Sequence, residues 1–577
     1  MDTPNTLSIW SFFCFQFCYF FYKSSIKKNE IYFFAIGLFS VKLFYFYTKN
    51  SMKIWYSFIA VMLLAVVVSC NSKADKKEGN QTKTAKAVVP ELKLTIDSTA
   101  IADFYETYPK LKNFQEEVLS LYKKKESRQL WLDNKGVVEF GNTLYNKYKG
   151  LDNEGLKANF PYKELNFIFE GNADNKLSQV NTDLMITNLY FYYGEKVYRG
   201  FDEKTTRSLE WLLPRKKMNY QVFSDSIFQK SAINDDRKNK MFSQYYKLRD
   251  VLREYREIEK KGGWKTIEID ENYKNLKLGD SSEVIAQIRE RLYITKDIKE
   301  DTKSAICDSV LIKSIKNYEL HHGLSPKNII LREHIDEMNV PVSDRIKTII
   351  ANMERCRWID PELEKGKEYL EVNIPEFKLY LIRDGKIAFT SAVVVGKAMT
   401  KTVIFSGMMN NIVFSPYWNV PTSIINKEIK PGMAKNKNYL KEKNLEWNNG
   451  AVRQLPGKNN SLGLVKFLFP NSSNIYLHDT PSKSLFERES RAFSHGCVRV
   501  AKPRELAIEL LKQDPSWTPA RIDKAMHAGK ESWYTLKNKI PVYIGYFTAW
   551  VDRDGNMNFY KDIYQRDESL IKLLTEE

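Results

Sequence analysis

Cysteine is scarce in this chain, with six in 577 residues. None forms a Cys-x-x-Cys pair, and no Cys/His spacing suits a metal ion, so no metal or cofactor is expected. Also missing is a compact motif of Arg or Lys interleaved with aromatic residues. The formal net charge of +18 therefore leaves an anionic partner open, such as a membrane surface or a cell wall, without pointing to nucleic acid, and no nucleic-acid partner is expected. What is present is globular in balance, 43% hydrophobic and 28% charged. The length calls for several domains rather than one core.

The first 51 residues are crowded with Phe, Tyr, Lys, Asn and Ser. Apolar runs over 12–22 and 31–47 admit a transmembrane reading. A second Met at 52 makes a mis-annotated upstream leader the preferred expectation. From there the pattern is regular. Lys53 precedes an apolar run over 54–68, and Val67-Val68-Ser69-Cys70 closes it with small residues before a cysteine. That is the layout of a lipoprotein signal peptide over 52–70, with lipid carried on the Cys70 thiol. The expected location is the periplasmic side of the cell envelope, lipid-anchored, with the outer membrane favoured because Asn71 gives no retention signal. Residues 71–94 read as a solvated tether.

Residues 95–265 mix apolar helical spacing with charge, as in Ile101, Phe104, Tyr105 and Tyr108, and predict a helical scaffold with no catalytic arrangement. Over 266–342 three helices are expected, at 284–292, 309–320 and 332–338. Leu276-Lys277-Leu278-Gly279, then Arg291-Leu292, then His322-Gly323-Leu324 resembles the peptidoglycan-binding domain 1 family. His321, His322 and His334 are expected to be structural or exposed, and Cys307 and Cys356 to be core. A linking helix is expected over 343–366. From 367 the texture alternates as strands do, with Leu370, Val372 and Ile374, and an Asp384-Gly385 turn. This predicts a β-rich domain to 545, interrupted by a Lys- and Asn-rich insertion over 425–462 that reads as a lid or as a surface excursion. A hairpin and tail over 546–577 complete an α+β multidomain chain.

One stretch gathers the chemistry. Ile475-Tyr476-Leu477-His478-Asp479 is followed by Ala492-Phe493-Ser494-His495-Gly496-Cys497-Val498-Arg499-Val500; His478 lies 19 positions before Cys497 and His495 lies 2 before it. A thiol with a pKa of about 8.5 is mostly protonated at neutral pH, and a nearby imidazole can take its proton. The thiolate then attacks an acyl carbon. Gly496 allows a turn at which main-chain N–H groups can form an oxyanion site, and Arg499 can steer a substrate carboxylate. From spacing alone, a core cysteine beside a structural histidine is the alternative.

His478 followed by Ser494-His495-Gly496-Cys497-Val498-Arg499 resembles the signature of L,D-transpeptidases with a YkuD-type catalytic domain. The flanks Val394-Val395-Gly396, Ser415-Pro416-Tyr417-Trp418-Asn419-Val420-Pro421, Lys466-Phe467-Leu468-Phe469-Pro470-Asn471 and Tyr546-Phe547-Thr548-Ala549-Trp550 resemble the long, scaffold-bearing (YcbB-like) branch. The resemblance implies a helical scaffold, a small peptidoglycan-binding-like domain and a β-rich catalytic domain with a capping insertion. It implies Cys497 as nucleophile and His478 as general base. Asp479 would orient that base, usually through its backbone carbonyl, and His495, Gly496 and the Cys497 amide would line the oxyanion site. Arg499, Ser494, Tyr417 and Trp418 would lie near substrate. The implied partners are donor and acceptor peptidoglycan stem peptides, with carbapenem-type inhibitors. The implied reaction is 3→3 crosslinking through a Cys thioester. An L,D-carboxypeptidase and a non-catalytic cell-wall-binding lipoprotein are the alternatives.

Overall fold

The computed structural model describes residues 94–171, 177–216 and 241–576. The leader, the signal segment with Cys70 and the tether up to residue 93 lie outside the described residues. Among the described residues no helix is long and apolar enough to cross a membrane.

The N-terminal part is built on α1 (Ser98–Thr107), α2 (Gln115–Lys124) and α3 (Gln179–Gly194). Asp97 caps α1 and Ser178 caps α3 through their side-chain oxygens. From Thr182 to Gly194 α3 is buried on every side, as befits a helix at the centre of its own core. Its one acid, Asp183, takes hydrogen bonds from the Tyr122 hydroxyl at 2.5 Å and the Trp131 N–H at 2.7 Å, which satisfies a carboxylate that would be costly to bury alone. A short strand, β1 (Trp211–Leu212), and the amphipathic α4 (Ser243–Lys260) follow.

Helices α5 (Glu283–Ile294), α6 (Ser309–His321) and α7 (Arg332–Met338) form a unit with a separate core around Ile288, Ile315, Tyr318 and Ile335. Cys307 is buried in it. Gly323 takes the left-handed conformation (φ +67°) that ends α6. The preceding His322 stacks between Tyr318 and Phe559, with ring centroids 3.7 and 5.7 Å away. His322 is thus structural.

Next comes α8 (Val342–Trp358). It occupies most of the expected link over 343–366. Ile346, Ile349, Met353, Cys356 and Trp358 belong to the same apolar core as the barrel that follows, together with Trp211, Tyr245, Leu248 and Leu252. Within the expected scaffold, β1 and α4 therefore pack with the C-terminal half. Amphipathic spacing shows that a helix has a face to bury but not which layer will cover it.

The first half of the barrel is β2 (Glu368–Asn373), β3 (Lys378–Arg383), β4 (Lys386–Gly396) and β5 (Ile404–Phe414). A cap then intervenes: β6 (Trp418–Asn419), short helical turns, β7 (Leu445–Asn448) and β8 (Ala451–Gln454). Its three strands pair in the order β6-β8-β7. Val420, Ile424, Ile425, Ile429, Leu445 and Val452 give it a small core of its own. The insertion is thus a folded unit that begins at Trp418, ahead of the expected 425. The second half of the barrel is β9 (Val465–Leu468), β10 (Leu477–His478), β11 (Ala492–Ser494), β12 (Val498–Val500) and β13 (Ser532–Gly545). The neighbour order is β9-β10-β12-β4-β3-β2-β13-β5, and β5 pairs back onto β9, so these eight strands close into a ring. Outside the ring, β1 extends it at β5 and β11 pairs with β4. The chain between β12 and β13 holds α9 (Pro503–Leu511).

A hairpin of β14 (Ala549–Val551) and β15 (Met557–Phe559) follows, and beyond it lies a helix, α10 (Asp567–Glu576). An Arg355–Asp567 ion pair at 2.6 Å ties α10 to α8.

Candidate active site

Strands β10 and β12 run side by side and parallel, with Leu477 opposite Val498 and His478 opposite Arg499. Side chains alternate across a strand. Leu477 and Val498 enter the barrel core, so Tyr476, His478, Cys497 and Arg499 share the other face. Lys466 on β9 stands opposite His478 and joins them.

His478 is 4% exposed. Its Nδ1 lies 2.5 Å from the Asp479 carbonyl oxygen. A carbonyl only accepts, so the proton sits on Nδ1 and the Nε2 lone pair is left free to act as a base. Burial first, and then the Arg499 charge, holds the imidazole pKa down to about 3. Asp479 is also buried, and its carboxylate does a different task from its carbonyl. Oδ2 accepts the Leu464 N–H at 2.8 Å, and Oδ1 accepts the Thr480 N–H at 2.7 Å and Lys483 Nζ at 2.5 Å. A Cβ on Gly463 would lie 2.3 Å from Asp479 Cγ, so the loop before β9 needs a glycine there.

Cys497 is partly exposed. Its Sγ is 3.7 Å from the Asn474 carbonyl oxygen. No hydrogen bond joins it to His478. Cys497 immediately precedes β12, two positions before Arg499, which stands opposite His478, so the two residues lie at the same end of adjacent strands; catalytic hydrogen bonds are often formed only once substrate is bound. Burial pushes the thiol pKa up, while the Tyr476 main chain and hydroxyl and the Arg499 guanidinium favour the thiolate. The resting pair is therefore a thiol beside a neutral imidazole. Arg499 Nε is buried with no hydrogen-bond partner, so this guanidinium retains capacity for an anionic group.

The turn that carries Cys497 is braced from within. Ser494 Oγ accepts the Gly496 N–H at 3.1 Å and donates to the Cys497 carbonyl at 2.6 Å. Ser494 is 2% exposed, so the expectation that it meets substrate is corrected: its hydroxyl is spent on the turn. Gly496 adopts φ +116°, which a residue with a Cβ would strain, and its carbonyl accepts from Thr402 Oγ1 at 2.9 Å. With the Gly496 N–H engaged, the Cys497 N–H is the donor nearest the sulfur for an oxyanion. The His495 ring turns away to the cap, with Nε2 3.3 Å from Glu428 Oε1. Tyr417 sits under Arg453, whose guanidinium is 4.2 Å from the ring centroid. The Trp418 side chain reaches the Tyr476 hydroxyl, which in turn reaches the Cys497 thiol. The cap thus meets the Cys497 turn at His495 and reaches Cys497 itself through Tyr476.

Sequence reasoning missed Tyr476, Asn474, Lys466 and Thr402. The signal for Tyr476 was there: it stands two positions before His478, in the extended run that leads into β10. Asn474 and Thr402 act through a main-chain carbonyl and a loop contact, for which a sequence carries no pattern.

The depressed imidazole has a consequence for stability. An unfolded histidine titrates near 6.5, so between that pH and about 3 the unfolded chain binds a proton that the folded chain refuses. Stability from this group is complete above about pH 6.5 and is lost as the pH falls towards the folded value. Acidification from pH 6.5 to 5 is expected to cost about 2 kcal/mol through His478. Urea unfolding of wild type and His478→Gln at both pH values checks it: the variant should lose less stability over that interval, and equal losses would place the imidazole in solvent.

A histidine held on one tautomer and a cysteine on the same sheet face provide the groups for acyl transfer through sulfur. Residues 367–522 match the family model of the L,D-transpeptidase catalytic domain, YkuD, and residues 116–252 match the Scaffold domain. The chain thus carries a YkuD-type L,D-transpeptidase catalytic domain, which holds both His478 and Cys497, and a Scaffold domain ahead of it. It is 34% identical over 274 residues to a Haemophilus influenzae protein provisionally named an L,D-transpeptidase, covering 43% of this chain and 55% of that one. The chain thus spans about half the length of the curated relative it matches. Solved structures similar to it include an L,D-transpeptidase from Stackebrandtia nassauensis, at 14% identity with a TM-score of 0.20, covering 48% of this chain and 96% of that one. Another is the LD transpeptidase LdtMt1 in complex with imipenem, at 12% identity with a TM-score of 0.18, covering 31% and 59%. At those scores the structural likeness carries no argument of its own.

Proposed function

We propose that this protein forms 3→3 crosslinks between peptidoglycan stem peptides through a Cys497 thioester. The observation that carries the reading is the shared face of β10 and β12, with a neutral, Nδ1-protonated His478 at the same end of these strands as Cys497. In the proposed cycle His478 Nε2 takes the thiol proton as Sγ bonds to the donor carbonyl carbon at the third stem residue. The oxyanion is held at the Cys497 N–H. As the C–N bond breaks, the imidazolium returns its proton to the leaving amino group of the terminal D-residue. The acceptor's side-chain amine then attacks the thioester, loses a proton to His478, and the S–C bond breaks to regenerate the thiol. Arg499 and Lys466 are placed to meet stem carboxylates, and Trp418 couples the cap to the nucleophile through Tyr476. Carbapenem-type inhibitors would acylate the same sulfur.

Export and lipid anchoring at Cys70, with the outer membrane as host, are proposed from the sequence of 52–70, and a wall-binding role for 266–342 from its resemblance. Incubation with purified tetrapeptide muropeptides tests the reaction. Crosslinked dimer with release of the terminal D-amino acid is the expected product. Tripeptide without dimer would make water the acceptor and the enzyme an L,D-carboxypeptidase; unchanged substrate would leave a binding protein.

A further inference from the structure

A cavity of about 510 Å³ opens on the outside of the barrel. Its floor is the outer face of β2, β3 and β13, and its walls are the start of α4 and the β14–β15 hairpin. In the eight-stranded ring β2 stands four places from β10 in either direction, through β3, β4 and β12 or through β13, β5 and β9. The cavity and the Cys497 face are therefore on opposite sides of the barrel.

Strand alternation explains the floor. Leu370 and Val372 point into the core, so Tyr369 and Glu371 point out; Leu379 and Leu381 point in, so Lys378 and Tyr380 point out. Tyr543 on β13 adds a ring 5.6 Å from that of Tyr369. Trp550 and Tyr560 supply further aromatic surface from the hairpin side.

The polar groups are unevenly used. Glu364 takes hydrogen bonds from Ser243 N–H and Oγ–H, at 3.1 and 2.7 Å. Glu376 accepts from the Tyr380 hydroxyl and lies 3.2 Å from Lys378 Nζ. Glu371, between them, has no hydrogen-bond or ion-pair partner among the described residues. Burial, then the nearby Glu376 and Glu364 charges, pushes its carboxyl up to about 7, so near neutral pH it can donate as well as accept. The lining charges almost cancel: Glu364, Glu371, Glu376 and Asp552 are four acids, against the three cations Lys247, Lys378 and Arg553. Such a site does not select an ion. Aromatic faces with a few donors and acceptors of both kinds suit a ligand with flat C–H faces and rim hydroxyls, and the volume is that of a small-ligand pocket.

We propose that this cavity is a saccharide site for a short run of neutral pyranose rings in a glycan strand, gripping the polymer on the side of the barrel away from the peptide chemistry. The polymer's identity rests on the peptidoglycan reading; the saccharide class rests on the cavity alone.

The probe is the uncharged tetramer of N-acetylglucosamine, titrated into the full chain by calorimetry. Saturable binding is expected, equal in wild type and Cys497→Ala, and at least about tenfold weaker in Glu371→Gln and in Tyr369→Ala. Melting temperatures check that both variants fold, and Glu371→Gln, which keeps the side chain's shape, remains the test if Tyr369→Ala does not. No saturation below about 10 mM, binding indifferent to Glu371→Gln, or binding of 1,5-diaminopentane in preference to sugar would each overturn the proposal. Dimer formation from muropeptides without tetramer binding would sink this inference and leave the crosslinking reading standing. Tetramer binding without dimer formation would do the reverse.

Discussion

Cys497→Ala is expected to show no mass increase after incubation with a carbapenem, where the wild-type chain gains one inhibitor equivalent. The expectation is sharp because the other described thiols cannot substitute. Cys307 and Cys356 are both fully buried, and burial drives the Cys356 thiol far above its ordinary range, where it is neither accessible nor ionised. Transfer to an acceptor stem should fall in parallel by about a thousandfold or more, the usual scale for removing a covalent nucleophile. His478→Gln should retain the adduct but form it about a hundred- to ten-thousandfold more slowly, as for loss of a general base. Intact-protein mass spectrometry reads both. An adduct of equal size on Cys497→Ala would remove the nucleophile assignment, and an unchanged rate in His478→Gln would remove the base.

The largest effect on stability is expected at Arg357, a residue with no part in the chemistry. Its side chain is fully buried on α8. Nη1 pairs with Glu354 Oε2 at 2.7 Å, Nε donates to the Val197 carbonyl at 3.1 Å, and Nη2 donates to the Glu154 carbonyl at 2.6 Å. Glu354 Oε1 accepts from Trp358 Nε1 at 2.8 Å and from the Phe201 N–H at 2.7 Å. One buried ion pair thus joins the N-terminal helices to the barrel core. Truncating the cation leaves Glu354 buried and uncompensated, so Arg357→Ala should lose about 3–5 kcal/mol. Adding Glu354→Gln should recover part of that, because the stranded charge is then gone. Urea unfolding followed by tryptophan fluorescence gives both values; a loss in Arg357→Ala below about 1 kcal/mol would mean that water enters the junction.

The site was legible in the sequence to the extent that its residues are close along the chain. Histidine, serine, glycine and cysteine at short spacings pick out one turn as the candidate site, and the alternation Leu370, Val372 predicted a strand that forms part of the barrel. The Asp479 carbonyl was also expected, and it lies against Nδ1. Ser494 was misread because a hydroxyl beside a nucleophile fits substrate binding and turn bracing equally well; only its burial separates them. The layer that covers α4 and α8 could not be read at all. Their apolar faces meet strands more than a hundred residues away, and helical spacing holds no information about the partner. The closed ring was hidden for the same reason: the β5–β9 pairing depends on a register that two short apolar runs do not specify.

The strand β1 also bears on the order in which the chain can mature. Trp211 pairs with Ile404, 193 positions later, and Gln244 is hydrogen-bonded to Val551, 307 positions later. Contacts of such span are slow to form because a long loop must close before any of them is gained. Until β13 and the hairpin have been made, α4 and α8 can cover each other but leave the rest of their apolar faces open, while α1 to α3 already hold a core of their own. A chain whose last forty residues have yet to dock is half folded and half adhesive, and that is the stage at which a holding chaperone has most to offer it.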